Sequence, residues 1–194
     1  MSFGTIKLGP VIADFMGLHP ELQIQLVLSD EQVDPTQEGL DVTLRIAELQ
    51  SSSLIARKIR PIERILCASP DYLYRHGIPT HPSDLRHHNC LTYGYLSTGN
   101  QWKLTGVDGD HWIAPKWTLC ANNAQVLRDA AARGCGIAMV PVFIAEKELK
   151  NGALRTILTD YQPPALSLYA LYPPTRHLAV KVRLFIDFLI RQIG

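Results

Sequence analysis

The sequence predicts an α/β protein with largely parallel sheets, built as two lobes, and three observations carry that prediction. Helical and strand-like stretches alternate along all 194 residues, with no internal repeat and no low-complexity segment. Between Asp41 and Pro70, three short β-rich segments follow one another across a few polar residues, the pattern of a chain leaving one sheet for another. The composition, 46% hydrophobic and 19% charged, is that of a soluble globular chain able to bury a proper core. Residues 41–70 are therefore read as the crossover between two lobes, with a functional cleft beside it.

Leu8, Val11, Ile12 and Phe15 recur at helical spacing, predicting an amphipathic helix that ends at His19-Pro20, with Ser2 at or near its N-cap. Leu22, Ile24, Leu26 and Leu28 alternate with Gln23, Gln25 and Val27 up to Ser29-Asp30, a half-buried strand. Asp34, Pro35 and Gln37 resemble a capping box closed by Gly39, with room for one helical turn. Strands follow at 41–46, 54–58 and 64–68, the last feeding a helix over 70–76 that Gly77 ends. His81 to Leu85 reads as a turn and short helix, and 90–93 as a strand. Residues 102–104 and 112–118 form a ribbon around Asp108-Gly109, the strongest hairpin signal in the chain. Asn122 or Asn123 caps a helix with Val126, Leu127, Ala130 and Ala131 on one face, ending at Gly134. A short apolar strand at 137–140 precedes a helix opened by Pro141. Strands at 154–158 and 166–172 lead to a final helix bearing Leu178, Val182, Phe185, Leu189 and Ile193, which returns to the first lobe.

Several functions are excluded on composition. Nineteen basic and 18 acidic residues spread along the chain leave a formal charge of +1 and no basic stripe, so direct contact with DNA is not expected. Cys67, Cys90, Cys120 and Cys135 form no CxxC pair and sit among apolar neighbours, as reduced, buried thiols do. No stretch approaches the ~18 apolar residues of a membrane span. Lys7 is the only early charge, and Pro10 and Asp14 interrupt the first apolar run, so no signal peptide is read and the cytoplasm is the expected compartment.

Chemistry is equally sparse. His76, His81, His87 and His88 fall within a short span, but none are spaced i, i+4 and no carboxylate stands with them as in HExxH. Solvated loop histidines, and no metal, are expected there. A GxSxG elbow is absent, and Ser51 to Ser53 look like a loop. Cys135, between Gly134 and Gly136 in an apolar run, lacks the electropositive setting of a nucleophile. With neither GxGxxG nor a P-loop, no cofactor and no catalytic residue are expected.

LRIAELQSSSLIARKI, RILCASPDYLYRHGIPTHPSDLRHHNCLTY and AAARGCGIAMVP together resemble the effector-binding domain of LysR-type transcriptional regulators, over Gly4 to Phe188. The resemblance implies two Rossmann-like lobes like those of type II periplasmic binding proteins, residues 1–60 plus 165–194 forming lobe 1 and 61–164 lobe 2. It implies a small-molecule effector, a carboxylate or other anion, bound in the cleft, which changes the arrangement of lobes and subunits in a homodimer or homotetramer. DNA would be reached only through a helix-turn-helix domain absent from this chain. The domain itself would have no enzymatic activity; a small α/β enzyme using the cleft is the alternative. The family pattern puts an apolar strand directly before the segment matching Ser2-Phe3-Gly4, so the first strand of lobe 1 is expected to be missing. Its neighbours' ladder groups would then go unpaired unless the lobe is altered or another segment or a partner chain fills the gap.

By position, Ser2 and Phe3 match the family's first-helix contact, and Ser29 a hydroxyl residue at the end of the second strand. Arg45, near the end of the crossover strand, would hold a carboxylate through its fork or make a surface salt bridge. Tyr93 would close one side of the cleft or serve as a partly buried structural tyrosine. Asn122 and Asn123 open the helix facing the cleft; capping explains them fully, and a helix start also suits an anion.

Overall fold

The structure, a computed structural model, describes residues 1–30, 39–48, 54–95, 101–174 and 179–194. In chain order, a π-helical turn (Gly4–Leu8) leads into α1 (Gly9–Leu18), followed by β1 (Thr43–Ala47), β2 (Ile55–Ile62) and β3 (Arg64–Ala68). Next come α2 (Pro70–His76), a 3-10 turn (Pro82–His87), β4 (Cys90–Tyr93), β5 (Trp102–Gly106), β6 (Gly109–Ile113) and β7 (Trp117–Ala121). The chain closes with α3 (Ala124–Ala132), β8 (Ile137–Pro141), α4 (Val142–Lys150), β9 (Arg155–Ile157), β10 (Leu166–Tyr172) and α5 (Val180–Ile193). It divides into two compact units: Met1, Phe3–Ile62 and Ala165–Gly194 in the first, Ser2 and Glu63–Pro164 in the second.

The first unit holds a three-stranded sheet in the order β1-β10-β2. Both pairings are antiparallel, in place of the parallel sheet the alternation predicts. Parallel neighbours need a crossover within one sheet, whereas β10 enters this sheet straight from the second unit at Ala165. Val182, Ile186 and Leu189 form a buried stripe on α5, and Phe15 of α1 packs edge-on against Phe185 at 5.2 Å and tilted against Phe188 at 5.3 Å. Each such apolar side chain contributes about 1.5–3 kcal/mol of burial. Leu178, expected on the same face, and the capping box at 34–37 lie outside the described residues.

At the amino end, Ser2 stands next to the N-cap, Phe3, near which it is expected, but Ser2 is buried, Phe3 is itself in αR and no side chain caps the turn. One expectation fails there. The alternating stretch 22–28 forms no strand, and Ile24, Leu26, Val27 and Leu28 stand exposed. Alternation gives a strand its faces, but only a neighbour satisfies its N–H and C=O groups, and among the described residues this stretch has no strand partner. At its end, the Met1 amine donates to Ser29 O at 3.2 Å and forms an ion pair with Asp30.

The second unit is built on a five-stranded sheet, β7-β4-β8-β3-β9. Strand β4 runs parallel to β7 and β8, while β3 is antiparallel to β8 and β9. Only Glu63 separates β2 in one sheet from β3 in the other, so the crossover read from 41–70 is real. The helix expected at 70–76 and the strands expected at 64–68, 90–93 and 166–172 form with those limits. Strands β5 and β6 make the expected hairpin, but its second arm stops at Ile113; Trp117 begins β7, which pairs with β4 instead. Pro115, without an N–H to donate, separates the two. Trp102, Leu85, Leu104, Leu66 and Ile137 are the centre of the core, with Tyr72 and Leu73 of α2 packed among them. Arg128 ties α3 to α4, its Nη1 donating to Ile144 O at 3.1 Å. All four cysteines are free; Cys67 and Cys90 are buried as expected, whereas Cys120 and Cys135 are exposed because apolar neighbours in sequence do not decide which face of a strand or turn a residue takes.

Candidate functional site

Three of the predicted site residues come together in the second unit. Tyr93 ends β4 opposite Ala121, the last residue of the parallel strand β7, and Gly94 N–H donates to Ala121 O at 2.9 Å. That register sets Tyr93 beside the carboxyl end of β7, where Asn122 and Asn123 carry the chain into α3. Asn123 is extended, with φ −127° and ψ 120°, and its Oδ1 accepts from Gln125 N–H at 2.9 Å and Val126 N–H at 3.4 Å. Asn122 is exposed. No acidic residue stands in the first turn of α3, so the positive end of the helix dipole is not compensated there. One strand position before Tyr93, Thr92 is 1% exposed and its Oγ1 has no hydrogen-bond partner among the described residues. Sequence reading passed over Thr92 because nothing in an apolar strand pattern marks a hydroxyl as unpartnered.

The first unit's predicted residues are placed separately. Phe3 is half-buried at the start of the π-helical turn, and Ser29 is exposed near the amino terminus, bonded through its carbonyl to Met1. Arg45 occupies the middle of β1, not its end, opposite Tyr169 of β10, and is half-buried.

The shifted titratable groups trace to packing. Burial pushes the thiols of Cys67 and Cys90 up to about 12, with Glu148 adding to the shift at Cys67, so neither is a thiolate near neutrality. Tyr72 Oη accepts from Asn89 N–H at 2.9 Å and meets His88 Nδ1 at 3.2 Å. Burial holds the Tyr72 phenol above its ordinary value and the His88 imidazole below its own. Of the clustered histidines, His88 is thus a buried structural partner, and His76 stacks on Tyr72 at 4.5 Å.

Polar residues at the carboxyl ends of parallel strands, beside an uncompensated helix start, form the kind of place at which open α/β domains hold small molecules. The LysR substrate binding domain matches residues 1–194, and the chain belongs to that family. An uncharacterized HTH-type transcriptional regulator of Haemophilus influenzae is 35% identical over 180 residues, covering 93% of this chain and 62% of the relative. The HTH-type transcriptional regulator CrgA of Neisseria meningitidis is 29% identical over 189 residues, covering 96% and 62%. Among solved structures, the full-length Vibrio cholerae virulence activator AphB, a member of the LTTR family, matches with a TM-score of 0.83 at 34% identity, covering 97% of this chain and 64% of that one. The regulatory domain of CrgA matches at 0.85 and 28% identity, covering 100% and 95%. The chain therefore spans 62% of the length of the two regulators and nearly all of an isolated regulatory domain. Among the described residues, no helix is long and apolar enough to cross a membrane.

Proposed function

We propose that this chain is the effector-sensing and oligomerising domain of a LysR-type transcriptional regulator, acting in the cytoplasm and reaching DNA through a helix-turn-helix domain of the whole protein. The observation that carries the reading is the convergence of Tyr93, Asn122 and Asn123 at the carboxyl ends of β4 and β7, beside the uncompensated start of α3. Backbone N–H groups and the dipole at such a start favour an anion, which makes a small carboxylate the effector class. Ser2, Phe3, Ser29 and Arg45 are further effector contacts on this reading, Arg45 offering a bidentate fork to a carboxylate. Residues 1–60 with 165–194 act as one lobe and 61–164 as the other. In a homodimer or homotetramer, an effector that prefers one arrangement of lobes and subunits shifts the equilibrium by its differential affinity.

Isothermal titration of the chain with a panel of small aliphatic and aromatic carboxylates tests this. A member of the panel binds one site per chain, and Asn122→Ala weakens it with little change in thermal stability. Failure of every member at millimolar concentration would remove the sensor reading.

A further inference from the structure

The second unit carries a group of donor atoms that the effector reading does not use. Its members come from three places in the chain. His81, with φ −133° and ψ 148°, is the N-cap of the 3-10 turn Pro82–His87. Asp108 is the second residue of the two-residue turn between β5 and β6. His111 follows on β6, opposite Leu104. One ligand atom from each residue lies within 4.8 Å of the others. His111 Nε2 stands 3.0 Å from Asp108 Oδ1, and His81 Nε2 3.5 Å from Asp108 Oδ2. Donors of a tetrahedral site, each ~2.1 Å from the ion, stand about 3.4 Å apart.

We propose that His81, Asp108 and His111 bind a divalent first-row metal ion of the zinc class, with water in the fourth position. Two imidazoles and one carboxylate suit zinc and its neighbours and do not suit magnesium or calcium, which take oxygen ligands. The Nε2 of His111 is buried and faces Asp108 Oδ1 at 3.0 Å, so a metal bound there would take the place of the proton between them. His81 Nδ1 lies 2.7 Å from Ser83 Oγ, a neighbour able to accept the proton that a metal on Nε2 requires there. The rearrangement costs only the longer bond from Ser83 N–H, now 3.2 Å.

The surroundings are shaped to the same end. Tyr161 walls the group, its ring edge-on to His81 at 5.6 Å and to His111 at 5.5 Å. The paired bonds between Thr105 and Gln162, at 2.9 and 2.8 Å, hold the Tyr161 turn against the hairpin. Gly106 makes room for both: a Cβ there would stand 2.6 Å from the Tyr161 ring and 2.7 Å from Asp108 Oδ1. Bound metal would join the 3-10 turn to the hairpin and so stabilise the second unit.

The test uses tag-free chain with Cys120→Ser and Cys135→Ser, since exposed thiols are the competing soft ligands. Zinc chloride followed by titration calorimetry binds one ion per chain, and zinc at 100 times Kd raises Tm by roughly 5–10 °C. Cobalt in place of zinc gives the visible d–d bands of a four-coordinate site. Asp108→Asn and His111→Gln each weaken binding at least tenfold by removing a ligand, by the estimate of about 1.4 kcal/mol per decade. Gly106→Ala weakens it without removing one, and His87→Gln, at an exposed histidine nearby, leaves it unchanged. Circular dichroism of the metal-free variants confirms that each folds. Absence of binding at millimolar zinc, or binding that survives both Asp108→Asn and His111→Gln, overturns the proposal.

Discussion

Replacing Asn123 by Asp separates the two roles this residue can play, because the substitution moves stability and effector affinity in opposite directions. As the N-cap, Asn123 accepts from Gln125 N–H at 2.9 Å and Val126 N–H at 3.4 Å. Alanine abolishes both bonds and costs about 1 kcal/mol, or ~2–4 °C in Tm for a chain of this size. Aspartate keeps the acceptor and adds a negative charge to a first turn that has no acidic residue. That contributes roughly 0.3–1 kcal/mol, a rise in Tm of ~1–3 °C. For a bound carboxylate the same charge is repulsive: two like charges ~4 Å apart oppose each other by up to about 4 kcal/mol near a protein surface. Even a third of that is tenfold in Kd. Differential scanning fluorimetry and titration with the best carboxylate of the panel read the two effects side by side. Should Asn123→Asp raise Tm and leave carboxylate affinity intact, the anion does not sit at the start of α3 and the effector site has been misplaced.

Three further outcomes follow from the same structure. Tyr72→Phe deletes the hydroxyl that accepts from Asn89 N–H, leaving a shielded donor short of a partner at a cost of about 1–3 kcal/mol; an unchanged urea midpoint would show that water replaces it freely. His88 is held below its ordinary value by burial first and by His76 next, against the opposing charge of Asp84. The unfolded chain then binds the proton more readily, so stability is fully present above about pH 6.5 and is lost as pH falls toward the folded value. His88→Gln flattens that slope in pH-dependent melts, and an unaltered slope would place the titration elsewhere. Val27→Lys, at a residue 60% exposed, leaves stability within ~0.5 kcal/mol but dissociates the proposed oligomer in sedimentation if the apolar run 22–28 is a subunit contact; an unchanged sedimentation coefficient would exclude that run.

Much of the fold was legible because local chemistry and tertiary placement agree. Ser69 and Gly77 bracket α2 as cap and stop, with Ser69 Oγ accepting from Tyr72 N–H at 3.1 Å and Gly77 at φ 85°. The crossover was legible because three short β-rich segments follow one another across a few polar residues between Asp41 and Pro70, and β2 and β3 lie closer still, with one residue between them. Sheet direction was not legible, since it depends on where β10 enters, and that lies a hundred residues beyond β2 in the chain. Nor could the stretch 22–28 be judged from its own alternation. The pattern says which face a strand would bury, while the existence of the strand rests on a neighbour's hydrogen bonds.

The candidate sites divide along the same line. The places of Tyr93 at a strand end and of Asn122 and Asn123 at a helix start were legible because caps and strand ends each leave local marks; their contact with an effector is proposed. The grouping of His81, Asp108 and His111 was not: the first was seen as one of a run of loop histidines and the other two as parts of a hairpin turn. What joins them is the hairpin register, Leu104 against His111 and Gly106 against Gly109, together with the capping geometry of His81. The histidines that looked clustered in sequence disperse, His88 into the core against Tyr72 and His87 to the surface. Sequence proximity was thus a poor guide to a ligand set here, because a 3-10 turn sends successive side chains to different sides while a hairpin folds residues three apart onto one point.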